Sequence, residues 1–183
     1  MGVWKGATTV GKKIAVMMGG VLWASVMVVG LCAQTQAQSQ KAETADTLVV
    51  SVEPSHRRAS LRVADLKGMA RKTVTVHNPH SNTDETYEGV ELADLLAKYA
   101  APLGKDLRGA ALANYVVATG ADGYRVVYSL AEVDPSFHPG DVIVADTVDG
   151  KALDARTGPF RLVSTEDKRP ARGVRNLVEL EVK

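Results

Sequence analysis

The chain has a single cysteine, Cys32, and it lies ahead of the part that reads as a folded domain. Beyond it there is no thiol, so no disulfide can form there and no thiolate can act as nucleophile or metal ligand. A Gly-rich phosphate loop, a Cys/His set at zinc spacing and a Gly-x-Ser-x-Gly elbow are also missing. Those absences remove the common sequence signatures of nucleotide hydrolysis, zinc enzymes and α/β-hydrolase chemistry. Internal repeats and long low-complexity tracts are missing too. The first 37 residues contain no acidic side chain.

What those 37 residues do contain is a graded pattern. Lys5, Lys12 and Lys13 form a basic start. Residues 14–31 then run without a charge, rich in Val, Met, Leu and Gly. Residues 32–40 turn small and polar, and Thr35-Gln36-Ala37 offers small side chains for cleavage. This is the pattern of a signal peptide over 1–37, and it predicts a periplasmic or secreted protein. The alternative is a retained N-terminal membrane anchor. The apolar run is about as long as the shortest spanning helices, and its three glycines weaken it. Lipidation of Cys32 fits poorly, because the bulky Leu31 directly precedes it.

Removing 1–37 changes the charge balance. All 21 acidic residues lie beyond Ala37, and three of the 22 basic ones precede it, so the remainder carries a net charge of −2. That excludes general nucleic-acid binding, which needs a basic footprint. Contact with a membrane is expected only through the N-terminal segment, if it stays uncleaved. Stability must come from a packed core, and a domain spanning 47–183 is long enough to bury one.

Residues 38–46 are small and polar and read as a flexible lead-in. Strands are expected over 47–52, where β-branched residues dominate, and over 72–77, where Thr and Val alternate. A turn is expected over 53–58, a short extended piece over 61–63, and one or two helical turns over 64–69 with Leu66 and Met69 on one face. Residues 78–86 read as a polar surface loop. The clearest helix is expected over 90–99, from the spacing of Leu92, Leu95, Leu96 and Tyr99, with Pro102 and Gly104 ending it. Residues 113–119 and 124–128 read as a hairpin closed by Gly120-Ala121-Asp122-Gly123. Ser129 and Glu132 form a capping box that opens a short helix. Further strands are expected over 141–146, 160–163 and 177–182, with a charged loop over 164–173. About eight short strands and three short helices, without strict β-α-β alternation, imply an α+β domain with mixed short β-sheets and a few short helices.

Three groups of residues can carry chemistry. His77 and His80 fall together and Asp84 and Glu85 follow, so imidazole ligation is conceivable, although two solvated loop histidines fit the same spacing. His56 and His138 read as ordinary loop residues. Arg156, Arg161, Lys168, Arg169, Arg172 and Arg175 form a basic run in which only Glu166 and Asp167 are acidic after Arg156. Arginine forks take phosphate or carboxylate bidentately, and a solvated basic face is the competing reading. Asp122 stands in the hairpin turn, where Asp-Gly is expected for backbone reasons alone.

Several of these pieces, in this order, resemble one family. They are Thr86-Tyr87-Glu88-Gly89-Val90-Glu91-Leu92 with Asp94-Leu95-Leu96, then Ala121-Asp122-Gly123-Tyr124 with Ser129-Leu130, then Gly158-Pro159-Phe160-Arg161-Leu162-Val163, and finally Arg172-Gly173-Val174-Arg175-Asn176-Leu177. The set is similar to the molybdopterin-binding domains of the sulfite-oxidase type, over residues 61–182. The resemblance implies a mixed α+β fold of several short sheets. It also implies a site for molybdopterin, in which a pyranopterin dithiolene holds molybdenum and a protein cysteine completes the coordination. In this chain Val76-His77-Asn78 stands where that cysteine belongs, so no thiolate-ligated molybdenum is expected. A thiolate is a soft, anionic donor, and a neutral imidazole in its place would leave the metal more positive and retune its potential.

The resemblance implies a pocket formed by His77, Asn78, Tyr87, Asp122, Tyr124, Arg161, Lys168, Arg169 and Arg172. The basic members would neutralise phosphate or carboxylate, and His77, Asn78 and Tyr124 would supply hydrogen bonds. The leading expectation is an exported, small molybdopterin-binding-domain-like protein that binds a small anionic or pterin-type ligand without catalysis. One alternative is a molybdenum-dependent oxidoreductase with an electron-transfer partner outside the cytoplasm. The other is a non-enzymatic, partner-binding module that kept the fold and lost the cofactor.

Overall fold

Alternation builds the first strand: Leu48, Val50 and Val52 of β1 (Leu48–Val52) are buried, and Val49 and Ser51 between them are partly open. The computed structural model describes residues 46–183. The expected signal peptide or anchor, Cys32 and all of the lead-in except Asp46 lie outside the described residues. Among the described residues, no helix is long and apolar enough to cross a membrane.

After β1 come β2 (Arg57–Leu61), α1 (Val63–Lys67), β3 (Lys72–Asn78), β4 (Thr83–Glu91) and α2 (Leu92–Lys98). They are followed by β5 (Tyr115–Gly120), β6 (Arg125–Ser129), α3 (Leu130–Val133), β7 (Val142–Val148), β8 (Lys151–Ala152), β9 (Arg161–Ser164) and β10 (Leu177–Val182). One sheet runs β2-β1-β10-β5-β6, with β1 and β10 parallel and the other pairs antiparallel. The other runs β3-β4-β7-β8 with β9 also on β7, antiparallel throughout. The domain is α+β, with two short-stranded sheets and a few short helices, as the sequence pattern predicts.

One large apolar cluster joins the inner faces of both sheets. It takes Val50, Val116, Tyr128 and Leu180 from the first and Val90, Val142, Val144 and Leu162 from the second, with Leu66 of α1 and Leu92, Leu95 and Leu96 of α2. A smaller cluster covers the outer face of the second sheet through Val74, Tyr87, Ile143, Ala145 and Val163. Strand β7 is therefore buried on both faces, which explains its unbroken apolar run.

Four local expectations need correction. The helix expected from 90 starts at Leu92, because Val90 and Glu91 stay in β4, paired with Val144 and Ile143. The polar stretch 78–86 is not a loop. Only its middle turns, and β4 begins at Thr83, held by the pairs Asn78–Thr83 and His77–Asp84. Its Thr83, Asp84 and Thr86 side chains are exposed and Glu85 is a half-buried polar residue, so no apolar alternation announces a strand. Arg57 and Arg58 are strand rather than turn, paired with Val52 and Ser51, and Val63 opens α1 instead of extending a strand. The two-residue β8 has no counterpart among the expected strands.

The capping box forms as expected. Glu132 N donates to Ser129 Oγ at 3.2 Å and Ser129 N donates to Glu132 Oε2 at 2.8 Å. Gly89 is required sterically: a Cβ there would fall 2.1 Å from the Val144 carbonyl oxygen, where β4 shifts register against β7.

Candidate functional site

The expected site residues fall into two groups, each built by different elements. The first sits on the second sheet. Side chains alternate along β4, so Glu85 and Tyr87 share the outer face, and β3 places Val74 and Val76 opposite them. Arg161 of β9 pairs with Ala145 of β7 and projects to that same face. There its guanidinium carbon lies 4.9 Å from the centre of the Tyr87 ring. The Tyr87 hydroxyl donates to Glu85 Oε2 at 2.5 Å, and Asn78 Nδ2 donates to Glu85 Oε1 at 2.7 Å. Asn78 and Tyr87 are thus linked through Glu85, and Arg161 joins them by its seat on the Tyr87 ring. Burial, and then the hydrogen bond to Glu85, pushes the Tyr87 phenol well above its ordinary pKa, while the Arg161 charge pulls the other way.

His77 belongs to this hairpin but not to that chain of contacts. Its Nδ1 lies 2.9 Å from Asp84 Oδ1, on an exposed pair one position out of phase with Asn78 and Glu85. His80 contributes only its backbone N–H, to Asn78 Oδ1. Among the described residues, no three His, Cys, Asp or Glu side chains stand together as a metal site.

The second group stands at the edge of the first sheet, where residues 164–173 cross β6. Asp122 Oδ1 accepts the Tyr124 N–H at 3.0 Å, a local turn bond, and the Tyr124 hydroxyl donates to the Ala171 carbonyl at 2.5 Å. Arg172 stacks on the buried Tyr128 ring, 4.2 Å from its centre. Its Nε donates to Asp167 at 3.1 Å and its Nη1 to Glu132 at 2.9 Å. Burial alone would lower the Arg172 pKa, but its bonds to Asp167 and Glu132 raise it overall. Burial works against the Glu132 carboxylate too, yet the Ser129 N–H and Arg172 hold it below its ordinary value. Arg172 is therefore neutralised within the protein. Lys168 and Arg169 are exposed on the same segment.

No bond above joins the two groups. A cleft of about 430 Å³ lies elsewhere, lined by Ala121, Leu153, Asp154, Pro159 and Asn176 among others, and none of the nine expected residues lines it. The sequence places Glu85 beside His77 and His80 but does not mark it as the hub of the first group, and it gives Tyr128, Glu132 and Asp167 no part in holding Arg172. Glu85 had one legible signal, its i, i+2 spacing from Tyr87, which becomes a shared face once the segment is a strand. Glu132 and Tyr128 had none, since they lie 40 and 44 residues from Arg172.

A comparison with protein-family models gives no match, and a comparison with curated proteins gives none either.

Proposed function

We propose that the protein is an exported ligand-binding domain of the molybdopterin-binding, sulfite-oxidase-like type that does not run molybdenum chemistry. The observation that carries this reading is the donor set at the end of β3. His77 and Asn78 stand where the resemblance calls for cysteine, and their side chains are engaged with Asp84 and Glu85 of their own hairpin. A thiolate supplies a soft electron pair and a negative charge; an imidazole and an amide supply neither. These residues do not fit a thiolate-held molybdenum. The two-sheet α+β architecture supports the fold side of the reading. The positive charge left for a small anionic or pterin-type ligand resides in Arg161, Lys168 and Arg169, since Arg172 is already paired. Export rests on the basic-then-apolar pattern of 1–37.

The test is to purify the processed protein from its native compartment. Molybdenum is measured by mass spectrometry and pterin by fluorescence after oxidation. Pterin without stoichiometric molybdenum is the expected result. Molybdenum with metal-dependent turnover on artificial electron acceptors restores the oxidoreductase reading, and loss of both signals removes molybdopterin.

The partner-binding reading draws on one observation. Val127 is 53% exposed on the edge strand β6, beside Val117 and near the exposed Tyr115 on the outer face of the first sheet. Stoichiometric co-purification of a protein lost on Val127→Lys would favour it.

A further inference from the structure

Three arginines lie half-buried against the sheets, and two of them are fully answered. Arg71 gives Nη1 and Nη2 to Asp146 at 2.8 and 2.6 Å and Nε to Glu88 at 3.0 Å. Arg172 holds Asp167 and Glu132 while its guanidinium rests on Tyr128. Arg161 has the same aromatic seat, on Tyr87, and among the described residues no carboxylate pairs with it. Among the described residues its buried Nε has no hydrogen-bond partner and no ion pair holds its fork. A buried, unanswered guanidinium N–H is costly, and native structures leave few such groups. Arg172 shows in this same chain what completes the arrangement: a ring beneath the guanidinium and a carboxylate on its fork.

We propose that Arg161, lying on the Tyr87 ring, is the receptor for a single carboxylate carried by a small ligand with a flat or apolar body. The inference deepens the ligand-binding reading above and rests on it. The geometry selects a planar acceptor, since the guanidinium fork matches a carboxylate bidentately. The surroundings select a single negative charge. Glu85 and Asp149 both act electrostatically on Tyr87. Glu85 is occupied by the Tyr87 hydroxyl and Asn78, and Asp149 Oδ1 accepts the Thr86 N–H. Neither reaches Arg161 as an ion pair, but their field repels a dianionic phosphate more than a monoanion. An apolar body has a surface to lie on, because the partly buried Val76, Val148 and Leu153 pack on the cluster that contains Tyr87.

The test is a titration of the purified processed protein, followed through the Arg161 Nε–H resonance, which is assigned by its loss in Arg161→Lys. The probes are benzoate, the neutral isostere benzamide and inorganic phosphate. Benzoate is expected to shift the resonance saturably and benzamide to leave it in place, with phosphate weaker than benzoate. Arg161→Gln is expected to lower benzoate affinity at least about tenfold, the scale of a hydrogen bond to a charged group. Lys105→Gln, at an exposed cation on the segment after α2, is expected to bind as wild type. Absence of a saturable shift in the wild-type protein overturns the proposal, as does benzamide acting like benzoate, phosphate binding more tightly, or Arg161→Gln retaining affinity. The wild-type titration does not depend on Arg161→Gln folding. It is also independent of the pterin measurement, so the two readings fail separately.

Discussion

Replacing Asp146 by Asn removes a buried charge whose partner remains. Asp146 is 3% exposed, both its oxygens accept from Arg71, and Oδ1 also accepts the Thr147 hydroxyl at 2.7 Å. Breaking a buried pair by deleting one member costs about 3–5 kcal/mol. Two features reduce that here. Arg71 is partly open, with 23% of its side chain exposed, and it keeps Glu88. Asparagine also preserves the volume and one acceptor. A loss of about 2 kcal/mol follows, which for a domain of this size is a fall of about 6–8 °C in Tm. Burial opposes the Asp146 charge, but the Arg71 bonds prevail and hold its carboxyl below the ordinary value. A depressed folded pKa means the stabilisation is present above the unfolded value, about 3.9, and fades as pH falls through the folded value. The gap between wild type and Asp146→Asn should therefore be full at pH 7 and shrink below about pH 4. Thermal unfolding by circular dichroism at several pH values measures it. A gap under about 0.5 kcal/mol at pH 7, the size of an ordinary surface change, or one that persists undiminished in acid, refutes the argument.

Other expectations concern Gly89, the buried tyrosines and Glu85. Gly89→Ala should destabilise by about 3 kcal/mol or abolish soluble expression, since its Cβ would meet the β7 backbone, which cannot move aside as a side chain can; denaturant unfolding reads this directly. Tyr87 should remain protonated at a pH where a free tyrosine, with its pKa of about 10, has ionised, as should Tyr128, which burial also raises. Glu85→Gln should bring the Tyr87 midpoint down, because it removes a charge that opposes the phenolate. Phenolate absorbance follows both, and an unchanged titration in Glu85→Gln would show that Glu85 does not act on the ring.

The legible parts of the fold were those whose signal is local. The hairpin turn at Gly120–Gly123 showed in its residues, and Gly123 does take a positive φ of 83°. So did the capping box, which needs only residues three apart. The polar start of β4 was not legible, because a strand with one face in water and few apolar residues looks like a loop until its partner supplies the register. The helix boundary at Leu92 was misplaced for a related reason: Val90 fits the helical stripe, but pairing with Val144 decides its conformation. At the candidate site, residue types were legible and their grouping was not. The nine expected residues divide between two sheets.

Some properties need no folding to be determined. Charge balance, the lack of a thiol beyond Cys32 and the periodicity of the core residues depend on identity and order along the chain. Other properties depend on which distant segments come together. The first and last strands, β1 and β10, run side by side in parallel. Arg161 and Arg172 belong to one basic run, yet Arg172 meets Glu132 and Asp167 while Arg161 lies on an aromatic ring with no carboxylate among the described residues. Charge in water acts over short distances, so an arginine's availability is set by what packs within a few ångströms of it. That neighbourhood is chosen by the sheets, and no reading along the chain contains it.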